Sequence, residues 1–221
     1  MRCYYKRVIE KNIKHIVWDW NGTLVDDVSA CVETINVLLH RRGKPPVSRE
    51  RYIEIFDFPV KDYYLTLGFD FSTENWDDIA HEFHEIYERT ARHAPLREGI
   101  VEMLDMMRSR GLPMSILSAS ETSILEKMLV ARNIRSYFTG IYGLDNLYAH
   151  SKLALGKVMM SEIGIPAHNV LLIGDTKHDF EVARDLGIGC VLVAGGHQAE
   201  HRLAKCGCRV LPGIGELVSL F

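Results

Sequence analysis

Five side chains stand out by where they fall as well as by type. Asp19 closes the apolar run Ile16-Val17-Trp18, Ser118 follows Met114-Ser115-Ile116-Leu117, and Asp175 follows Val170-Leu171-Leu172-Ile173-Gly174. Asp179 lies one helical turn beyond Asp175, and Lys152 opens an amphipathic stretch. Short apolar runs bounded by turn residues read as strands buried on both faces, and open α/β sheets bind ligands outside the carboxyl ends of their strands. An acid, a hydroxyl, a lysine and further acids at one such edge suit phosphate and magnesium chemistry. Clustered carboxylates repel one another unless a cation or a proton intervenes, magnesium favours oxygen ligands, and a lysine offsets phosphoryl charge. An ionised aspartate can also attack phosphorus to form an aspartyl-phosphate. Ser115 and Ser120 compete with Ser118, and Lys157 with Lys152, for the assigned places.

These residues must be held by an alternation of strands and helices. Cys190 to Ala194 and Tyr137 to Tyr142 add two further candidate strands to the three above. Helical stripes fall between them: Ile100, Leu104 and Met107 with Gly111 as the stop; Ile124, Leu125, Met128 and Leu129 with Ser120 or Thr122 as the cap; Leu153, Val158, Met159 and Ile163; and Val182, Ala183 and Leu186. This pattern predicts an α/β fold with a doubly wound, mostly parallel sheet, a Rossmann-like core. The stretch from Val28 to His93 has no convincing strand. Val28, Val32, Ile35 and Leu39 make one helical face, and Trp76, Ile79, Phe83, Ile86 and Tyr87 a longer one, with Pro45, Pro46 and Pro59 breaking the pieces between. The expected organisation is a core of residues 1–27 and 94–221 with an inserted helical module at 28–93. The aromatic and histidine stripe from Trp76 to Tyr87 reads as module core and solvent face.

Bulk properties remove several other classes. A net charge of -3 with no concentrated basic stretch argues against nucleic acid and anionic membrane as partners. Arg41-Arg42-Gly43-Lys44, the densest basic piece, suits a helix C-terminus. No segment approaches the ~18 apolar residues of a membrane span, and residues 1–14 lack a secretory apolar core. Five scattered cysteines (Cys3, Cys31, Cys190, Cys206 and Cys208) read as free thiols of a reducing compartment, so a cytoplasmic location is expected.

The motifs resemble those of the haloacid dehalogenase-like hydrolases. Asp19-Trp20-Asn21-Gly22-Thr23-Leu24 resembles the first motif, Ser118 the second, Lys152 the third, and Gly174-Asp175-Thr176-Lys177-His178-Asp179 the fourth. The resemblance spans nearly the whole chain and is closest to the phosphoglycolate-phosphatase-like branch, with residues 28–93 similar to its α-helical cap. It implies a magnesium-dependent phosphatase of small phosphorylated metabolites, working as a monomer or homodimer with Asp19 as nucleophile. Asp19, Asp175, Asp179 and the Asn21 carbonyl would hold Mg2+. Ser118, Ala119, Lys152 and the backbone at Gly22 and Thr23 would hold the phosphoryl group.

One position departs from the family pattern: Asn21 stands where phosphatases of this kind carry a second aspartate, which protonates the leaving group and then activates water. An amide cannot exchange that proton at neutral pH, and such help is worth about 10²–10⁴-fold in rate. A slow enzyme, a substitute acid such as His178, a regulatory phosphate binder, or a carbon–phosphorus hydrolase using Lys61 are the alternatives. His197, after Gly195-Gly196, could also face the site. Restoring the carboxylate by Asn21→Asp is expected to raise phosphatase activity.

Overall fold

The computed structural model describes residues 12–144 and 151–221; Cys3 and the other residues of the N-terminal stretch before position 12 lie outside the described residues. Six parallel strands form one sheet in the order β3-β2-β1-β4-β5-β6. They are β1 (His15–Trp18), β2 (Met114–Glu121), β3 (Phe138–Leu144), β4 (Val170–Gly174), β5 (Gly189–Val193) and β6 (Arg209–Leu211). The inner strands β1, β4 and β5 are buried along their whole length, as continuous apolar runs demand. Ile16, Trp18, Ile173 and Val191 pack in one layer, with Leu104 and Met107 of α5 (Ile100–Ser109) and Leu125 and Leu129 of α6 (Thr122–Ala131). Val17, Leu172 and Cys190 point to the other layer, with Met159 of α7 (Lys152–Ile163) and Val182 of α8 (Lys177–Leu186). The sheet is thus covered on both faces.

Chain order on the sheet reverses at β1, which pairs with β2 on one side and β4 on the other. That places the residues following β1 and β4, and the end of β2, side by side at one edge, the usual position of a ligand site in this architecture.

Between β1 and α5 the chain makes four consecutive α-helices: α1 (Val28–Arg41), α2 (Arg49–Ile55), α3 (Val60–Thr66) and α4 (Trp76–Thr90). They share a hydrophobic cluster of their own, with Ile35, Leu38, Tyr64 and Ile79 at its centre. Its base is fastened to the segment after β5. Ala199 N donates to Ile53 O (3.1 Å), Gln198 Nε2 to Phe56 O (2.9 Å), and Arg202 to both Phe56 O (2.6 Å) and Asp57 (2.8 Å). The last carbonyls of α2 therefore find partners across the junction, which a helix end needs.

The local readings differ from the structure at three points. Strand β2 runs on through Glu121 straight into α6, so neither Ser120 nor Thr122 caps that helix, and Thr122 Oγ1 donates instead to Leu144 O (3.2 Å). Val158 is half exposed although it falls on the apolar stripe of α7. Strand β6 was not expected; at three residues it is too short to show a period.

Candidate active site

Asp19 sits one residue past β1, and its amide donates to Ile173 O across the strand pair (2.9 Å), which fixes its carboxylate at the sheet edge. The turn that follows returns through Thr23, whose Oγ1 lies 3.0 Å from Asp19 Oδ2 and 2.8 Å from Asp175 Oδ1. Lys152, first residue of α7, inserts a buried ammonium that donates to Asp19 Oδ1 and, at 2.6 Å, to Asp179 Oδ1. Asp179 also closes the capping box of α8, accepting from Thr176 N (3.0 Å) and Thr176 Oγ1 (2.6 Å). Asp175 Oδ2 accepts from His197 N at 2.6 Å. A side chain at Gly22, which also has φ +70°, or at Gly196 would run into Asp175, so both must be glycine for the loops to close over the acid.

Carboxylate oxygens of Asp19, Asp175 and Asp179 all lie within 4.8 Å of one another. One lysine serves two of the three carboxylates, Asp19 and Asp179, and the titration behaviour follows. Burial, reinforced by Asp179 and Asp175, pushes Asp19 up to about 8 despite the pull of Lys152. Burial likewise raises Asp175. Asp179 alone is lowered: burial opposes this, but the charge and hydrogen bonds of Lys152 and the Thr176 bonds prevail. An all-oxygen group this short of positive charge has the donor set and the spacing that a hard divalent cation takes.

A second buried constellation adjoins the first. Asp27 occupies the N-cap position of α1 yet makes no capping bond. Its carboxylate turns to the site and accepts from Gly22 N (2.7 Å), Asn21 Nδ2 (2.8 Å), Tyr87 Oη (2.6 Å) and His197 Nε2 (3.2 Å), with the Cys31 thiol at 3.6 Å. The other ring nitrogen of His197 pairs with Tyr52 Oη at 2.8 Å. Burial by itself would raise Asp27, but the His197 charge and this ring of donors hold it down to about 2. Burial would lower His197, and Asp27 more than reverses that, to about 9.

The sequence expectations meet this geometry unevenly. Asp19, Thr23, Lys152, Asp175 and Asp179 converge. Asn21 is part-buried beside them, but its side chain is committed at both ends: Nδ2 donates to Asp27 and to Tyr87 Oη (2.7 Å), and Oδ1 accepts from Ser120 Oγ (2.8 Å). A carboxylate at position 21 would face Asp27, so the gain expected from Asn21→Asp is corrected to a loss. The Gly22 amide is spent on Asp27 and the Thr23 amide on Trp20 O (3.3 Å), so neither is turned outward to a phosphoryl group. Ser118 is buried, its Oγ accepting from Ser120 N (3.0 Å), while Ala119 and Ser120 line the cavity over the site. His178 stacks on Phe58 (4.5 Å), and burial, helped by the Lys152 charge, lowers its pKa. Lys61 lies over the Phe71 ring (5.0 Å) and is not among the residues lining the cavity, which leaves the carbon–phosphorus alternative without its lysine.

Sequence reasoning missed Asp27, Tyr52, Tyr87 and Arg97. Arg97 donates to Gly22 O (2.8 Å) and Ala194 O (2.6 Å), tying the loop after β1 to the end of β5. For Asp27 a signal existed, since an acid immediately before a helix invites a cap assignment that can be checked against alternatives. The tyrosines carry no local signal at all.

Above the acids lies a cavity of about 840 Å³ between the helical segment and the sheet edge. Asp19, Lys152, Asp179 and His197 form its floor, and α4 and α6 contribute much of its wall.

Residues 16–193 match the model of the haloacid dehalogenase-like hydrolases. The chain is 26% identical to the 5'-nucleotidase of Pseudomonas aeruginosa, covering 86% of each chain. It is also 26% identical to the phosphoglycolate phosphatase of Synechococcus elongatus, covering 86% of this chain and 89% of that one. Among solved structures, a haloacid dehalogenase-like hydrolase of Streptococcus pneumoniae superposes with a TM-score of 0.76 at 22% identity, over 94% of this chain and 97% of that one. CbbY of Rhodobacter sphaeroides, solved with phosphate, gives 0.73 at 18% identity over 93% and 96%. With the matched segment running from β1 to β5, the chain belongs to the haloacid dehalogenase-like hydrolases, within their phosphoglycolate-phosphatase-like branch.

Proposed function

We propose that this chain is a magnesium-dependent phosphatase of small phosphorylated metabolites that works through an aspartyl-phosphate on Asp19, with residues 28–93 as its cap. The observation that carries the reading is the cluster of three buried carboxylates at the sheet edge, two of which, Asp19 and Asp179, share one lysine.

Asp19 and Asp175 would hold the ion, with Asp179 and the Asn21 carbonyl completing its protein ligands, and the ion would supply the charge that lets an anionic nucleophile meet an anionic ester. Lys152 fixes the Asp19 carboxylate and offsets charge on the phosphoryl oxygens. The Ser118 hydroxyl and the Ala119 backbone are the remaining candidates to hold those oxygens. Asn21 offers an amide where a proton must be given and later taken, so the acid–base help worth about 10²–10⁴-fold in rate is missing from this position. The aspartyl-phosphate then outlives the step that forms it.

Hydrolysis of phosphate esters should require magnesium and vanish in Asp19→Asn and on chelation. Hydrolysis that survives either change would refute the reading.

A further inference from the structure

The wall of the cavity identifies the kind of ester it receives. Trp76, Phe83 and Tyr87 lie on one face of α4 and line the cavity, whereas Ile79 and Ile86 of the same helix are buried in the helical cluster. The aromatic residues of the stripe pack against that cluster, as expected of module core, and also line the cavity. The Phe83 and Tyr87 rings are nearly parallel and stacked on one another (11°, centroids 5.7 Å apart), and both rings line the cavity. Ile124 and Met128 of α6 line the same space from the core side. Facing rings and a thioether suit a planar π-system better than a flexible chain, since rings favour offset stacking and sulfur favours ring contacts.

A second, independent observation comes from α3. Tyr63 lines the cavity, is 3% exposed, and its hydroxyl has no hydrogen-bond partner among the described residues. A buried unpartnered hydroxyl is costly, and such groups await a ligand or water. Burial keeps Tyr63 protonated, so it is a donor. A two-carbon acid would not fill about 840 Å³; Lys152 at the floor is shared by Asp19 and Asp179, and the other cations of the lining, Arg89, Arg92, Lys127 and Arg132, belong to the wall. Arg132, also on the wall, already donates to the carbonyls of Ala91, Ala94 and Met128.

We propose that the substrate is a phosphate monoester whose leaving group carries an aromatic ring with a hydrogen-bond acceptor, the ring lying against Phe83 and Tyr87 and the acceptor meeting Tyr63 Oη. The proposal rests on the phosphatase reading of the floor and names what lies above it. The ring can be joined to the ester oxygen directly or through a sugar, as in a nucleoside monophosphate.

The test compares alkyl esters of similar leaving-group acidity in magnesium buffer: ethyl phosphate, phosphoglycolate, benzyl phosphate and pyridylmethyl phosphate. The ring-bearing esters should show kcat/KM at least about tenfold higher, mostly through KM, given what burying a ring is worth. Tyr63→Phe should cost pyridylmethyl phosphate about tenfold and leave benzyl phosphate within about twofold. Nucleoside monophosphates exceeding pyridylmethyl phosphate would identify the sugar-linked form; the reverse would identify the direct one. Equal or better use of ethyl phosphate or phosphoglycolate would overturn the proposal, as would a Tyr63→Phe loss shared by all four esters. Calorimetry on Asp19→Asn separates the two readings. If nothing turns over in the wild type but the ring-bearing esters still bind about tenfold more tightly, the phosphatase reading fails and the cavity assignment stands; equal binding overturns the assignment.

Discussion

The two buried constellations beside Asp19 contain the same kinds of group and are wired oppositely. Around Asp27, one carboxylate meets a histidine, two other side-chain donors and a backbone amide, and both members of the ion pair are driven toward their charged forms, Asp27 to about 2 and His197 to about 9. Around Asp19, three carboxylates cluster with one lysine that reaches two of them, and the carboxylate at the sheet edge is driven the other way, to about 8. Both sites are buried, so burial does not separate them. What separates them is whether the chain supplies enough donors of its own. The first constellation is complete and holds shape; it joins the loop after β1 to Tyr52 and Tyr87 of the helical segment. The second is short of positive charge, the condition of a site that stores instability for use.

Mutations should expose that contrast, the complete site losing stability and the charge-poor one gaining it. Asp27→Ala leaves a buried His197 cation and three donors unpaired, and should cost about 3–5 kcal/mol in urea unfolding, as does removing one member of a buried pair. Asn21→Asp sets a carboxylate against Asp27 and should cost about 1–3 kcal/mol without raising hydrolysis. The double variant Asn21→Asp/Asp27→Asn exchanges acid and amide across one hydrogen bond, and should recover most of that loss, as interacting neighbours do. Asp19→Asn should have the opposite sign, stabilising the metal-free protein by about 0.5–2 kcal/mol. If Asp19→Asn and Asp27→Asn shift stability in the same direction, the contrast fails.

The smallest effect lies away from both sites. His15 in β1 is buried, pairs with Ser115 Oγ at 2.9 Å, and is lowered below 6.5 by burial. A histidine with a depressed folded pKa favours the folded state above its unfolded value and loses that contribution as pH falls below it. Thermal unfolding should therefore show a decline from about pH 6.5 downward that His15→Gln flattens, by no more than about 1 kcal/mol. An unchanged pH slope in His15→Gln would remove His15 as the cause.

Much of this arrangement was legible in the sequence, for reasons that also explain what was not. Continuous apolar runs marked β1, β2, β4 and β5, because strands covered on both faces need no polar alternation. The acids at their ends followed, because strand ends share one edge. Nothing local marked Tyr52, which meets His197 across 145 residues, or Tyr63, whose hydroxyl is notable only for what it lacks. Periodicity tells which residues share a face, not which faces meet. For the same reason the stripe of Trp76, Phe83 and Tyr87 read as module core, which it is, without showing that it also lines a cavity. Asn21 was legible as a departure, but its consequence was misread until Asp27 was seen beside it.

The central claim is that Asp19 becomes phosphorylated, and it can be read directly. Incubating the protein with magnesium and acetyl phosphate, quenching in acid and digesting should yield a peptide containing Asp19 heavier by one phosphoryl group. The adduct should be absent without magnesium and absent in Asp19→Asn, and it should accumulate because Asn21 slows its loss. Magnesium-dependent turnover of acetyl phosphate with no adduct at Asp19, or with the phosphoryl group on another residue, would contradict the account.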